Sequence, residues 1–344
     1  MTDSPTTDSS TTKRPANKIR WGILGPGKIA HAFAADFQYV ADGRLSAVAS
    51  RSTERARAFA AQYDIPFAYG SYGELAASPE VDAVYVAVPH SHHYEAASLC
   101  LEAGKAVLCE KPLTVNSGQA EALFALAERR GSFLMEALWS KFNPVIVHLG
   151  ELIASGAIGE VRRIHCDFGF VAPPDPGSRL RAPGLAGGAL LDIGIYTLFL
   201  PHMLWGLPAQ IDSHVVRGET GVDVQEQIIL QWPGARMAVA EASLDSYYPT
   251  TGVISGTEGY IQLAAPFFAG RELTLWREGS EPRQVRREFP GKGYQFQVDE
   301  VNACLRAERL QSRRHSWEDS LALCQTMDRL RKTWGITYPG ERAP

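Results

Sequence analysis

The stretch Trp21-Gly22-Ile23-Leu24-Gly25-Pro26-Gly27-Lys28-Ile29-Ala30 constrains this chain more than any other, because it joins an apolar run to a glycine turn and then to a helix. Ile19 to Leu24 has the composition of a buried strand. Gly25 supplies the tight turn, Gly27 lets a pyrophosphate approach the backbone, and Ala30 takes the third small position of a dinucleotide fingerprint. A helix predicted from about Lys28 to Tyr39 aims its free amides and its positive dipole end at the phosphates. A Gly-Pro-Gly turn between any strand and helix would match as well, so the neighbouring stretches decide.

Leu45 to Ser50 reads as a second short strand, roughly twenty residues past the glycines, where this kind of fold reads the adenosine ribose. No acid stands there. Ser50-Arg51-Ser52 offers hydroxyls and a guanidinium, and Arg55 follows one helical turn later. A 2'-phosphate would meet positive charge, whereas a bare 2'-hydroxyl would lack its usual carboxylate partner, so NADP is expected rather than NAD. The alternative is that Arg51 and Arg55 only coat a solvated helix start.

With 344 residues the chain suits two domains of unequal type. Its net charge of -4 comes from 34 basic and 38 acidic residues without a long basic block, which argues against nucleic acid as a partner. Five cysteines, Cys100, Cys109, Cys166, Cys304 and Cys324, show no paired metal spacing, and their odd number argues against a closed disulfide framework. Buried reduced thiols and a cytoplasmic location are expected. Residues 1–17 are rich in Ser, Thr and Asp, with neither a signal peptide nor an anchor, and are expected to be disordered. No later stretch reads as long and apolar enough to span a membrane.

The grammar of the first half is alternation of strands and helices. Thr53 to Tyr63 has helical spacing with Thr53 as a possible cap, and Ile65 to Tyr69 reads as a short edge strand. Ala83 to Val88 is a continuous apolar run ending at Pro89-His90-Ser91-His92-His93, followed by a helix to about Ala103. Ala106 to Cys109 ends at Glu110-Lys111-Pro112, Ser117 to Arg130 is a further helix, and Phe133 to Glu136 closes the series. Such alternation implies a doubly wound parallel sheet whose ligands bind at the carboxyl ends of the strands. Past about Gly159 the segments become mostly antiparallel strands, interrupted by a helix from Leu190 to Trp205 and closed by helices at Phe296 to Arg309 and Ser316 to Trp334. Val171 to Gly187 is the one long irregular loop, a feature that often serves function.

Three groups could carry chemistry. Lys111 sits where a strand delivers side chains to the cleft, and as a compact cation it can bond a substrate oxygen and depress the pKa of a neighbouring acid. Asp192 and Tyr196 lie four residues apart in an otherwise apolar helix and so project from one face. An ammonium beside Tyr196 would favour its phenolate. The competing readings are a surface lysine, a capping acid and an interfacial phenol. His90, His92 and His93 are spaced too tightly for the usual zinc sets, so no metal is assigned and Pro89, His90 and His93 are read as a loop lining the nicotinamide side.

Taken together, Gly25-Pro26-Gly27-Lys28-Ile29-Ala30, Glu110-Lys111-Pro112 and Gly187-Gly188-Ala189-Leu190-Leu191-Asp192-Ile193-Gly194-Ile195-Tyr196 resemble the glucose-fructose oxidoreductase, inositol dehydrogenase and MocA family, nearest its dimeric dihydrodiol dehydrogenase branch. The resemblance implies a Rossmann domain over 18–140, a substrate-binding and dimerisation domain over 141–320 with an open-faced, mostly antiparallel sheet, and a C-terminal helix over 321–344 packing back. It implies catalytic roles for Lys111 and Tyr196, support from Asp192, a substrate wall at Trp139, and a cis bond at Lys111-Pro112. Glu110 falls with the cofactor residues Gly25, Gly27, Lys28, Ile29, Ala30, Ser50, Arg51, Ser52 and Arg55. The apolar Ala265-Pro266-Phe267-Phe268 segment, Phe267 in particular, is expected to receive rings. The implied activity is hydride transfer between NADP and a secondary alcohol of a cyclic diol or sugar. An aldose (D-xylose) 1-dehydrogenase and a non-catalytic NADP-binding sensor are the alternatives. A homodimer or larger homo-oligomer through the C-terminal sheet is expected, with no membrane partner.

Overall fold

The computed structural model describes residues 18–341, so the disorder expected of residues 1–17 lies outside the described residues. Six strands, β1 (Ile19–Leu24), β2 (Gly43–Ala49), β3 (Phe67–Tyr69), β4 (Ala83–Val86), β5 (Ala106–Glu110) and β6 (Leu134–Ala137), form a parallel sheet in the order β3-β2-β1-β4-β5-β6. The helices between them are α1 (Lys28–Asp36), α2 (Thr53–Gln62), α3 (Tyr72–Ala77), α4 (His93–Glu102) and α5 (Ser117–Arg130). Strand order reverses between β1 and β4, which opens a crevice at their carboxyl ends. β4 and β5 are buried at every position, as their unbroken apolar runs require. Ser52, rather than Thr53, caps α2, its side chain accepting from the Arg55 amide at 3.3 Å.

After helix α6 (Pro144–Ala154) the chain builds an eight-stranded sheet from β7 (Val161–Gly169), β8 (Gln210–Arg217), β9 (Asp223–Trp232), β10 (Arg236–Ser243), β11 (Gly252–Gly256), β12 (Gly259–Leu263), β13 (Glu272–Arg277) and β14 (Arg283–Arg286). All pairs are antiparallel except β10 with β7. Helix α7 (Ile195–Trp205) covers one face. Pro183–Trp205 is, against the sequence expectation, a helical run long and apolar enough to cross a membrane, but 83% of its most apolar window is buried within the protein. Its apolarity is that of a core helix.

Two further helices, α8 (Gln295–Arg306) and α9 (Trp317–Trp334), return to the first sheet. α9 packs on both α5 and α7, burying Leu323, Cys324, Met327 and Leu330. Arg331, also on that face, is buried because Glu341, Asp328 and the Val115 carbonyl surround its guanidinium. All five cysteines are free and buried.

Asp36, at the end of α1, ties the first layer to the segment before α8. Its buried carboxylate accepts from the backbone amides of Lys292, Gly293 and Tyr294 at 2.8–3.0 Å. Nearby, the Trp21 indole donates to Asn302 of α8 at 3.0 Å. Asp36→Ala is expected to lower unfolding free energy by about 2–4 kcal/mol, because three buried amides lose a charged acceptor. Denaturant unfolding checks this, and a change within experimental error would mean that the amides find other partners.

Candidate active site

The dinucleotide turn forms as its sequence demands. Gly25 has φ of +87°, and a Cβ there would stand 2.8 Å from the Ala87 carbonyl oxygen, so only glycine is accommodated. Gly27 begins α1 with no side-chain cap, and nothing lies within 4 Å of where its Cβ would be. The first amides of the helix, those of Lys28, Ile29 and Ala30, have no side-chain cap to satisfy them, which fits a pyrophosphate. At the end of β2, Ser50 is buried and its hydroxyl accepts from the Ser52 amide, while Arg51 and Arg55 are exposed. This set fits an adenosine phosphate at the rim.

β5 delivers Glu110 and Lys111 to the same end of the sheet. The Glu110 carboxyl turns inward, accepting from the Tyr85 hydroxyl and the Lys111 amide, and burial raises its pKa despite both donors. Glu110 thus braces the strand end rather than offering its carboxyl to a cofactor. Lys111-Pro112 is cis, and Ala265-Pro266 is cis as well. The Lys111 ammonium donates to the Asp192 backbone carbonyl, lies 3.5 Å from its carboxylate, and sits 4.7 Å from the Tyr196 ring centroid.

Asp192 and Tyr196 do share a face, but not of one regular helix. Leu190–Gly194 is a π-type turn that widens the start of the run, and α7 begins only at Ile195. Asp192 is nearly buried and would be neutral from burial alone. The Lys111 ammonium and the Arg179 guanidinium at 2.7 Å outweigh that and hold its carboxyl well below the usual carboxylate range. Arg179 comes from the irregular loop and was not singled out from the sequence; an arginine in a loop of that length was the one available signal.

Tyr196 corrects the expectation of a favoured phenolate. Burial, with Tyr294 and Glu110 nearby, raises its pKa well above the ordinary tyrosine value, and a hydrogen bond from the Trp139 indole at 2.9 Å opposes this only in part. The ammonium lies over the ring face instead of against the oxygen. At neutral pH the group is a phenol.

The histidines separate. His90 bonds the Ala186 carbonyl at 3.1 Å beside Asp192, and burial lowers its pKa to about 3, so it is neutral. His93 is fully buried, its two ring nitrogens facing the Pro112 and Val88 carbonyls at 2.7 and 2.9 Å, and burial lowers it to about 4. It staples β4 to the Lys111-Pro112 loop and has no nitrogen left for a cofactor, contrary to its expected role. Pro89 stands at the turn before His90.

Aromatic rings wall the site. Trp139 stacks on Tyr294 with centroids 4.4 Å apart, Phe268 stacks on Tyr196 at 4.6 Å, and Phe168 stacks on Phe268 at 4.7 Å. Phe267, the residue expected to meet substrate, points instead into the core and stacks on Phe199. Its neighbour Phe268 occupies the wall.

Comparison with known proteins agrees with this geometry. The pattern of the oxidoreductase family with an NAD-binding Rossmann fold, GFO/IDH/MocA, matches residues 19–138, and that of the GFO/IDH/MocA C-terminal domain matches 146–262. Trans-1,2-dihydrobenzene-1,2-diol dehydrogenase of Mus musculus is 37% identical over 340 residues, covering 94% of this chain and 99% of the relative. The Homo sapiens protein of the same name is 37% identical over 334 residues with the same coverage. Among solved structures, aldose-aldose oxidoreductase from Caulobacter crescentus, complexed with glycerol, superposes with a TM-score of 0.85 at 25% identity over 92% of this chain and 98% of that one. A 3-ketoreductase from Actinomadura kijaniata, bound to NADP and TDP-benzene, gives 0.81 at 28% identity with the same coverage.

The charge on Asp192 has a consequence for stability. Its carboxyl titrates lower in the folded chain than in the unfolded one, so its stabilisation is complete above the unfolded value of about 3.9 and is lost as pH falls below it. The unfolding free energies of the parent and Asp192→Asn should therefore differ most near neutrality and approach each other as pH falls below about 4. A gap that stays constant over that range would show Asp192 to titrate normally.

Proposed function

The chain belongs to the Gfo/Idh/MocA oxidoreductase family, and on that premise we propose that it is an NADP-dependent dehydrogenase acting on a secondary alcohol of a cyclic diol or sugar. The observation that carries this reading is the convergence of the Lys111 ammonium and the Tyr196 phenol at the carboxyl end of β5, beneath a wall of stacked rings. NADP, when bound, supplies a nicotinamide ring that takes a hydride from an alcohol or returns it to a ketone. Gly25, Gly27 and the amides of Lys28, Ile29 and Ala30 would hold its pyrophosphate, and Ser50, Arg51, Ser52 and Arg55 its 2'-phosphate.

The chain's own groups divide the remaining work. Tyr196 exchanges the substrate hydroxyl proton, acting as an acid when a ketone is reduced and as a base when an alcohol is oxidised. Lys111 stabilises the negative charge that develops on the same oxygen. Asp192 holds the ammonium in place through its carbonyl and carboxylate. Trp139, Tyr294, Phe168 and Phe268 exclude water and favour a substrate with one apolar ring face, which supports a cyclic diol over an open-chain polyol. A panel of trans-dihydrodiols, pentoses and hexoses, followed by the absorbance of reduced cofactor with NADP and then NAD, tests the reading. Tight NADP binding without turnover of any of them would favour a sensor.

The uncovered face of the second sheet supports self-association: Val216 and Met237 are exposed there, in register with Gln225 and Gln231 of β9. Sedimentation at micromolar concentration should give a dimer or larger.

Lys111→Met and Tyr196→Phe are each expected to leave NADP affinity nearly unchanged while lowering turnover roughly a hundredfold or more, the usual worth of such groups. Because Tyr196 titrates above its ordinary value of about 10, alcohol oxidation should climb with pH without levelling off below about pH 10, and Tyr196→Phe should flatten that climb. Collapse of NADP binding with turnover intact would overturn the assignment.

A further inference from the structure

Two buried acids beneath the site do no work in the mechanism above. Asp223 and Glu226, at the start of β9, are 0% and 2% exposed. The Asp223 Oδ2 accepts from the Leu190 amide at 2.6 Å, and the Ala189 amide also points to this carboxylate. Leu190 opens the π-type turn that carries Asp192. At the other end of the same turn a Cβ on Gly194 would overlap the Glu226 carboxyl, and a Cβ on Gly188 would overlap that of Asp223. The acids therefore press directly on the backbone glycines at both ends of the turn.

Asp223 Oδ1 and both Glu226 oxygens are buried with no hydrogen-bond partner among the described residues. Around them the packed layer is apolar, with Ala172, Ala189, Ile193, Ala242 and Leu244. The titratable and charged groups that face the pair are few. Tyr338 donates to the Gly187 carbonyl at 2.7 Å, and behind it Arg331 is already paired with Glu341. Among the described residues no cation pairs with these acids, and two adjacent carboxylates in such a layer would repel each other strongly.

We propose that Asp223 and Glu226 share a single proton and together clamp the turn Leu190–Gly194, which makes them positioning residues for Asp192. Glu226 keeps the proton, since burial and the neighbouring Asp223 both disfavour its charge, while Asp223, with two backbone amides pointing at it, is the ionised partner. A protonated Glu226 donates to Asp223 Oδ1, which accounts for the otherwise unpartnered oxygens. A π-type turn lacks the regular i to i+4 bonds of a helix, so an external brace at its first amide and last glycine fixes where the Asp192 carbonyl and carboxylate stand. The consequence for turnover rests on the reading of Asp192 given above; the clamp itself does not.

Infrared difference spectra of the NADP-loaded protein at neutral pH, parent against Glu226→Gln, test the shared proton. The parent should show the carbonyl stretch of a protonated carboxyl group that the variant lacks. A glutamine amide can still donate to Asp223, so Glu226→Gln should keep near-parent turnover and parent-like amide exchange over residues 188–194. Glu226→Leu removes the donor and should speed amide exchange over residues 188–194 and lower turnover roughly tenfold to a hundredfold, with NADP affinity unchanged. Absence of the carboxyl band, or a folded Glu226→Leu that exchanges over 188–194 like the parent, overturns the proposal. If Glu226→Leu does not fold, the band and the amide exchange of Glu226→Gln decide alone. Faster exchange with undiminished turnover would leave the clamp standing and remove Asp192 from the mechanism.

Discussion

The contact on which the site depends is that of the Lys111 ammonium with Asp192. It is the point where the end of a parallel strand meets the start of a helix from the second sheet. Each side is poorly placed without the other. Asp192 buried alone would protonate, and Lys111 unpaired would turn to solvent. Held together, they leave the ammonium over the face of the Tyr196 ring. The surrounding braces serve this registration. Asp36 fixes the segment that bears Tyr294, His93 staples the loop that bears Lys111, and α9 closes over both layers.

Charge in this site is concentrated in one cluster, while the groups around it are neutral. Asp192, Lys111 and Arg179 carry charge; Glu110, His90, His93 and Tyr196 are pushed by burial toward their uncharged forms. This division follows from the aromatic and aliphatic lining. A low-polarity wall makes isolated charges costly and makes the few compensated ones strong. A developing alkoxide placed against such a cluster is stabilised without the reorganisation that water would need.

Much of this was legible in the sequence, for reasons that show where legibility ends. The strands of the first sheet are buried on both faces, so continuous apolar runs located β4 and β5 to within two residues, and the glycine turn located α1. α6 was missed because Val145-Ile146-Val147 has the composition of a strand; the overlooked signal was Asn143-Pro144, a cap followed by proline at the first helical position. The π-type turn left no trace, since the apolar residues on either side of Asp192 cannot distinguish a turn of four from one of five. Phe267 and Phe268 lie in a segment without periodicity, and nothing local says which ring faces the site. His93 was misjudged because its burial depends on the Lys111-Pro112 loop, which lies 19 residues on in sequence. Glu226 alternates correctly with Ile228 and Leu230 toward the inner face, and an acid at such a position was itself the signal.

Trp139 joins the wall of the pocket to its chemistry. Its indole N–H occupies one lone pair of the Tyr196 oxygen, so the phenol hydrogen remains available to whatever lies between the two sheets. With burial keeping that hydrogen in place at neutral pH, Tyr196 would, on the proposed function, donate to a ketone oxygen. Oxidation requires the reverse condition, a phenolate, and the same indole supplies one of the bonds that would stabilise it. On the proposed function, one side chain would therefore both shape the apolar face offered to a ring and set how far the acid can lean toward acting as a base. Enlarging the pocket at Trp139 would change the substrates admitted and the pH dependence of their turnover together, because the two properties share a single hydrogen bond.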